Sequence, residues 1–264
     1  MTNAPNPTAC LLVVGDEVLS GRTRDANLQY LAARLGEIGV PLREARVVPD
    51  DRATIVATVN EVRAKYTHVF TTGGIGPTHD DVTSECVAEA FGVPWEVHEE
   101  TRALMAEDYA RRDPPVEFNA ARLRMATLPL GAAPIRNPVS TAPGFTIGNV
   151  HVLAGVPRIC QAMFEALAPT LRGGRPVVSR AVHAGGLLEG RIAEGLAALQ
   201  ARFPDLSLGS YPYYRGESGG GVALVAKGAA DPARVEAARD AMAALVREVG
   251  LDPVEGEPPP AAAS

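Results

Sequence analysis

A glycine-rich segment that ends in two adjacent aspartates, TTGGIGPTHDDVT at residues 71–83, could bind a phosphate through a metal ion. Glycines let the backbone approach a ligand closely, and their N–H groups, together with the start of the helix predicted next, can bind an anion. The carboxylates of Asp80 and Asp81 would repel that anion unless a cation lay between them, and hard oxygen ligands suit Mg²⁺. A glycine turn followed by an aspartate helix cap explains the segment equally well. Its candidate phosphate ligands are Thr72, Gly73, Gly74 and Gly76.

Two more acidic pairs also follow predicted strands. Asp16 and Glu17 come directly after Gly15, and Asp50 precedes Asp51. Asp51 is adequately explained as the cap of a helix, whereas Asp50 is the candidate that faces a ligand. We therefore expect Asp16, Glu17 and Asp50 to add carboxylates to the same site.

A hydroxyl-bearing turn and a third glycine loop complete the candidate groups. Ser140 and Thr141 precede a Pro-Gly turn, and their hydroxyls could bind phosphate or a pterin edge, although such turns are common in loops. Gly155 follows another short apolar run. Asn119 and Asn137 could bind a ligand amide, but each is more often a local turn cap.

The elements that must position these residues alternate between strand and helix. A continuous apolar run predicts a buried strand at residues 9–14, and β-branched and aromatic residues predict a short strand at 68–72. Residues 42–48 are predicted to be a further strand and residues 151–154 another buried one, and three- and four-residue spacing predicts helices between the strands. This order indicates a parallel sheet with helices on both faces, whose ligand crevice lies outside the carboxyl ends of the strands. Four loops should meet at that edge: 15–17, 49–51, 73–76 and 155–157.

Beyond residue 171 the pattern changes. Residues 172–176 (RGGRP) are predicted to be a linker, and the order βαββα over residues 177–250 predicts a small α+β domain. Gly219–Gly221 are interpreted as a turn between two strands, because they precede a strand rather than a helix. The Pro-rich ends, residues 1–8 and 255–264, are predicted to be disordered.

Composition excludes several classes of function. The 264 residues carry a net charge of −6, which argues against nucleic acid as the main partner. The three cysteines are widely spaced, and there is no signal peptide, so we expect a reducing, cytoplasmic location. No apolar run is long enough to span a membrane. Motifs of P-loop hydrolases, Rossmann dinucleotide sites and zinc proteases are missing from the sequence.

The chain has a family resemblance over residues 9–171. It rests on five segments that occur in this order: VGDEVLSGRTRDANLQYLAARLGEIGV, VVPDD, TTGGIGPTHDDVT, NPVSTAPG and LAGVP. The chain resembles the molybdopterin-binding domain of the molybdenum-cofactor biosynthesis (MoaB/Mog-type) family. The similarity is greatest to the CinA-like (competence/damage-inducible protein A) group. Residues 177–250 resemble the KH-like second domain of that group. The deamidase domain that ends many members is expected to be absent, because the sequence stops at residue 264.

The resemblance implies a three-layer α/β/α fold that is often oligomeric, so we expect a homo-oligomer. In the adenylyltransferase branch the glycine motif binds a pterin or nucleotide phosphate, and an aspartate that matches Asp81 supports Mg²⁺-dependent chemistry. A second functional aspartate of that branch matches Asp50. The resemblance to CinA-like members implies hydrolysis of nucleotide pyrophosphates such as ADP-ribose. This hydrolysis would depend on a divalent metal, namely Mg²⁺, Mn²⁺ or Co²⁺. We therefore predict a molybdopterin or nucleotide ligand and a divalent metal. The predicted catalytic residues are Asp50 and Asp81; the ligand-binding ones are Gly15, Thr72, Gly73, Gly74, Gly76, Ser140, Thr141 and Gly155; the metal ligands are Asp16, Glu17, Asp80 and Asp81.

Three departures from the group's motifs leave alternatives open. Ala154 stands where the group has proline, Ser140 where it has glycine, and Arg124–Met125 where it has Lys-Gln. A module that binds a molybdopterin or nucleotide without turnover is therefore an alternative, as is a molybdopterin adenylyltransferase. Eukaryotic FAD synthases carry a similar domain, but this sequence shows no second catalytic domain to support that role.

Overall fold

A computed structural model describes residues 5–214 and 219–259. The chain divides into two compact units: the first extends to Gly174, apart from Glu37–Gly39, and the second begins at Arg175. This boundary lies within the predicted linker. Within the described ranges, no helix combines the length and the apolar character needed to cross a membrane.

The first unit carries eight strands and seven α-helices within the described residues. The strands are β1 (Ala9–Val14), β2 (Leu42–Val48), β3 (His68–Thr72), β4 (Trp95–Val97), β5 (Thr127–Pro129), β6 (Ala133–Ile135), β7 (Gly144–Ile147) and β8 (Val150–Leu153). The helices are α1 (Asp16–Leu19), α2 (Asn27–Glu37), α3 (Arg52–Lys65), α4 (Thr83–Phe91), α5 (Glu99–Arg111), α6 (Ala120–Leu123) and α7 (Pro157–Leu167).

The sheet of the first unit is mostly parallel. Its order is β2-β1-β3-β8-β7-β6, and the first four strands run parallel while β7 and β6 are antiparallel. Every residue of β1 is buried, because helices cover both faces of the sheet. Leu12 packs in one core with Ile55 of α3, and Phe70 on the other face lies 5.9 Å from Phe164 of α7 between ring centroids. The predicted mostly parallel α/β fold is confirmed.

The second unit is a small α+β domain, as predicted. Its strands β9 (Val178–Gly185), β10 (Ser207–Tyr214), β11 (Gly220–Gly228) and β12 (Val254–Glu255) form an antiparallel sheet in the order β10-β11-β9-β12. Helices α8 (Glu189–Arg202) and α9 (Pro232–Glu248) supply Ile192 and Met242 to a core that also contains Leu224 of β11. This core is separate from that of the first unit.

The structure differs from the sequence predictions mainly at chain ends and turns. Residues 1–4 and 260–264 of the predicted disordered ends lie outside the described residues. Inside them, Thr8 N donates to Thr67 Oγ1 at 3.2 Å, and Gly256 N donates to Ala181 O at 2.9 Å. Order therefore extends further than composition indicated, because these backbone groups find partners beside a sheet.

The predicted turn at residues 219–221 is also wrong in part. Gly220 and Gly221 belong to β11, where they pair with Tyr214 and Tyr213. Of the predicted turn, only Gly219, with φ of +79°, lies before the strand. Residues 215–218, which complete the connection, lie outside the described residues.

Two buried histidines form a directed hydrogen-bond chain across the first sheet. His68 Nε2 lies 3.2 Å from the carbonyl oxygen of Arg172, which can only accept, so this nitrogen carries the proton. His68 Nδ1 therefore accepts from His151 Nε2 at 3.1 Å, and His151 Nδ1 accepts from Thr146 Oγ1 at 3.0 Å. Burial lowers the pKa of His68 and lowers the pKa of His151 to about 3, so both rings are neutral.

This chain predicts that the fold loses stability in mild acid. Because both folded-state pKa values lie below the unfolded value of about 6.5, the unfolded chain binds more protons as the pH falls. The free energy of unfolding should drop between pH 6.5 and pH 5, by roughly 1.6 kcal/mol from His151, whose folded-state pKa lies well below this range. His68 should add to the drop in the same direction. His151→Gln should flatten the pH dependence of the melting temperature over this range, measured by circular dichroism.

The exposed His79 provides the matched control, because its side chain is 98% exposed. His79→Gln should leave the pH dependence of the melting temperature as in the wild type. A His151→Gln protein that still follows the wild-type profile would contradict this account of the acid sensitivity.

Candidate functional site

The loops at the carboxyl ends of the parallel strands are joined by hydrogen bonds. Gly15 N donates to Val48 O at 3.1 Å, and Gly73 N donates to Leu153 O at 3.3 Å. Asp16 N donates to the carboxylate of Asp50 at 2.9 Å. The loops that follow β1, β2, β3 and β8 therefore lie together, as parallel-strand geometry requires.

Glycine is required where these loops touch. Gly73 has φ of +98°, and a Cβ there would lie 2.1 Å from the carbonyl oxygen of Val14. Gly74 has φ of +67°, and a Cβ there would lie 2.1 Å from Thr83 Oγ1. A Cβ on Gly155 would lie 3.2 Å from the Cα of Gly73. The glycine segment therefore packs directly against the backbone at Val14 and at Gly155.

A cavity of about 450 Å³ opens beside this glycine segment. Seven of the predicted site residues line it: Glu17, Gly73, Gly74, Gly76, Asp81, Ser140 and Gly155. Its other lining residues include Met125, Ala154, Val156, Ile159 and Met163, which give it an apolar wall. No lysine or arginine is among the lining residues described, so an anionic ligand here would find carboxylates but no basic side chain.

Asp81 is fixed inside its own loop rather than capping the next helix. Its carboxylate accepts from Thr78 N at 2.8 Å and from the Thr78 hydroxyl. Helix α4 begins at Thr83 after Val82, which makes no side-chain cap, so the alternative interpretation of this aspartate as a helix cap is wrong. A Cβ on Gly76 would lie 2.6 Å from Asp81 Oδ2, so the carboxylate packs closely against the glycine loop.

Asp50 and Asp51 have opposite environments although they are neighbours. Asp51 caps α3 by accepting from Thr54 N at 2.8 Å, which lowers its pKa together with the Thr54 hydroxyl. Asp50 is half-buried, and this desolvation raises its pKa. The hydrogen bond from Asp16 N lowers the pKa, but the charges of Asp16, Glu17 and Asp80 raise it further. The charges of three neighbouring acids thus add to the effect of burial on Asp50.

The predicted metal ligands do not form a closed cage. Within residues 5–214 and 219–259, no group of three or more histidine, cysteine, aspartate or glutamate side chains is arranged to hold a metal ion. Asp16 and Asp80 are exposed, and the Thr78 hydroxyl lowers the pKa of Asp80. The carboxylates could still contact a metal that a phosphate ligand also binds, the usual arrangement for Mg²⁺.

Of the remaining predicted residues, Ser140 lines the cavity, whereas Thr141, Thr72 and Gly15 do not. Asn137 Nδ2 donates to Ser140 Oγ at 2.6 Å, which holds this hydroxyl at the wall. Thr141 has φ of +64° and does not line the cavity. Its hydroxyl bonds to Asp108, whose pKa is lowered mainly by Arg112. Thr72 lies beneath the loop at 1% exposure, and its hydroxyl has no partner among the described residues. Gly15 is also buried and precedes α1.

Asn27 is a site residue that sequence reasoning missed. It is 2% exposed, and its Nδ2 donates to the carbonyl oxygen of Gly155 at 2.8 Å. An asparagine at the start of a helix indicates a cap, yet Asp25 performs that role by accepting from Leu28 N at 2.8 Å. Asp25 was the signal in the sequence: because it already caps the helix, the Asn27 side chain can bind the Gly155 loop instead.

Comparison with known proteins gives two family matches. The model described as probable molybdopterin binding domain matches residues 10–173, and the model described as FAD synthase, middle domain, matches residues 176–255. A protein of Pyrobaculum calidifontis is 37% identical over 214 residues, which are 78% of this chain and 81% of that protein.

Several relatives carry the CinA name. A CinA-like protein of Myxococcus xanthus is 37% identical over 167 residues, which are 61% of this chain but 39% of that protein. The crystal structure of a protein CinA with unknown function from Thermoplasma acidophilum matches 63% of this chain and 99% of that chain. The TM-score is 0.58 at 32% identity, so the similarity extends from sequence to fold.

The contrast between Asp50 and Asp51 predicts opposite effects on stability. Since the folded-state pKa of Asp50 is raised, its contribution to stability falls as the pH rises through that pKa, and an uncharged side chain avoids this loss. Asp50→Asn, which keeps an oxygen for Asp16 N, should raise the melting temperature at pH 7 by up to about 4 °C. The gain should vanish below pH of about 3.9, where the unfolded carboxyl is also protonated.

Asp51→Ala is the matched variant in the next position. The pKa of Asp51 is lowered, so its stabilisation is present above the unfolded pKa and is lost as the pH falls. This variant should lower the melting temperature at pH 7, measured by differential scanning calorimetry. If Asp50→Asn also lowered the melting temperature at pH 7, the cost of burying a charged Asp50 near other acids would not be its main effect on stability.

Proposed function

The chain belongs to the family of probable molybdopterin-binding domains and is CinA-like, and from this premise we propose that its first unit is a divalent-metal-dependent nucleotide pyrophosphatase. The substrate would be a diphosphate of the ADP-ribose type. The observation that carries the proposal is the cavity beside the glycine segment, which presents Glu17 and Asp81 but no basic side chain. A diphosphate in such a cavity requires a cation to offset the repulsion.

The residues present fit a metal that is shared with the substrate. Burial raises the pKa of Asp50, and the charges of Asp16, Glu17 and Asp80 raise it further, which supports a cation near this carboxylate. Asp81, with Asp16, Glu17 or Asp80, would hold a divalent ion together with phosphate oxygens. When bound, such an ion neutralises charge on the diphosphate and polarises its phosphorus–oxygen bonds.

The protein's own groups would position the substrate and move the proton. N–H groups of Gly74 and Gly76 would contact phosphate oxygens, and the apolar wall around Val156 and Met163 would take the planar base. Asp50, whose pKa is raised toward the working pH, would accept a proton from the attacking water. Water adds to one phosphorus as its bond to the bridging oxygen breaks, so ADP-ribose and water give AMP and ribose 5-phosphate.

Apolar residues at two positions favour a second candidate, a module that binds a molybdopterin or nucleotide without turnover. Met125 and Ala154 line the cavity, whereas the neighbouring Arg124 does not. Arg124 instead donates from Nη2 to the carbonyl oxygen of Asp81 at 3.2 Å and lies 5.2 Å from the Trp95 ring centroid. The Arg124 guanidinium could stabilise charge during a reaction, but it is directed to the backbone carbonyl of Asp81 instead.

Turnover distinguishes the two functions. The full chain should release AMP from ADP-ribose with at least one of Mg²⁺, Mn²⁺ and Co²⁺, and chelation of the metal should stop the reaction. Asp50→Asn should lower the rate by about a hundredfold or more, the typical contribution of a general base. Asp51→Asn makes the same chemical change one residue away and keeps a good helix cap, so its rate should match the wild type.

Binding without turnover would overturn the pyrophosphatase and support the second candidate. A ligand at a hundred times its dissociation constant stabilises a protein by about 2.7 kcal/mol, which a thermal melt detects. A melt panel with ADP-ribose, FAD and pterins, each with and without metal, should therefore show stabilisation whichever candidate is correct. Only the AMP assay then decides between them.

A further inference from the structure

The first unit has a second cavity, of about 660 Å³, at the other end of its sheet. It lies around the first residues of β3 and β8, at the turn between β7 and β8, and beside the end of α7. It also extends along β6 to Arg136, the residue before Asn137 of the first cavity. His68 begins β3 and Thr72 ends it, so at about 3.3 Å per residue roughly 13 Å of strand separates this cavity from the glycine segment. A volume of this size suits a mononucleotide-sized ligand.

The charged groups of this cavity are of one sign. Arg136 and Arg172 line it, both are exposed, and neither forms an ion pair with any described residue. No aspartate or glutamate is among its lining residues. Guanidinium groups bind phosphate and carboxylate through paired N–H donors, so the wall is complementary to an anion.

The inner wall is neutral and presents ring and apolar surfaces. His68 and His151 are 8% and 5% exposed, and the hydrogen-bond chain from Thr146 to Arg172 fixes both rings as neutral. Their ring centroids lie 5.4 Å apart, and Ile135 and Leu167 add aliphatic surface. The cavity thus offers a surface for a flat or apolar group next to a basic rim.

We propose that this cavity is a second ligand site for a phosphate monoester that carries a planar ring, such as a nucleoside monophosphate. Arg136 and Arg172 bind the phosphate, and the ring lies against His68, His151 and Leu167. The site is separate from the glycine segment and does not depend on the reaction proposed there. Pairing of the ligand with two otherwise unpaired guanidinium groups provides the selectivity for a dianion.

The test measures binding of four probes to the full chain: AMP, ribose 5-phosphate, inorganic phosphate and adenosine. Binding is followed through the ring-nitrogen NMR signals of His68 and His151, which report on this cavity. AMP should bind most tightly, the two phosphates without a base more weakly, and adenosine most weakly. Replacing both arginines, by Arg136→Gln with Arg172→Gln, should weaken AMP binding at least tenfold.

Two control variants fix the location. Arg43→Gln removes an exposed arginine from β2 at the far edge of the sheet and should leave AMP binding unchanged. Asp81→Asn alters the cavity at the glycine segment and should also leave the histidine-detected affinity unchanged. The proposal is overturned if AMP leaves both histidine signals unmoved up to a concentration of about 1 mM, or if the double variant binds AMP as the wild type does.

Discussion

The close contact between the backbones of Gly73, Val14 and Gly155 is the constraint on which the candidate site depends. A single added carbon at Gly73 would overlap the last carbonyl of β1, so the glycine segment can approach the first strand only because it lacks a side chain there. Gly155 in turn packs on Gly73, and Asn27 holds the Gly155 carbonyl from the start of α2. Loops from three parallel strands are thereby locked in one arrangement, and the cavity is the space that this arrangement leaves.

The electrostatics of the site follow from the same arrangement. Because parallel strands end at one edge, the acids that follow β1, β2 and β3 are brought near one another. Burial raises the pKa of Asp50, and the charges of these neighbouring acids raise it further. The fold tolerates this cost through hydrogen bonds from Asp16 N and Thr78 to individual carboxylates. The raised pKa of Asp50 and the grouping of acids at one edge of the sheet are therefore two consequences of one geometry.

Much of the fold could be predicted from sequence because its signals are local. Strands β1 and β3 begin and end as predicted, since a buried parallel strand needs a continuous run that stops at a turn residue. The bounds of β2 were also predicted, although it is an edge strand whose residues before Val48 alternate between half-buried and exposed. The four-residue helix α1 has too few residues to show periodicity, so it was not predicted. Asp51 was predicted correctly as a cap, because an aspartate directly before a helix is a local signal. Asp50 instead accepts from Asp16 N and is not among the residues that line the cavity, so its predicted ligand contact stays a prediction. Asp81 and Asn27 were harder: their partners Thr78 and Gly155 depend on loop conformation and on a contact across 128 residues of sequence.

The reversal of strand direction at the edge of the sheet has a consequence for how such a site can diversify. Since β6 ends and β7 begins at the edge where the parallel strands end, the connection between them, residues 136–143, reaches the cavity and supplies Asn137, Ser140 and Pro143. This connection lies outside the parallel core, in a hairpin at the border of the sheet. Changes in the length and side chains of this connection are thus the ones that the fold tolerates best during evolution. Such changes can alter ligand preference while the glycine contacts stay intact.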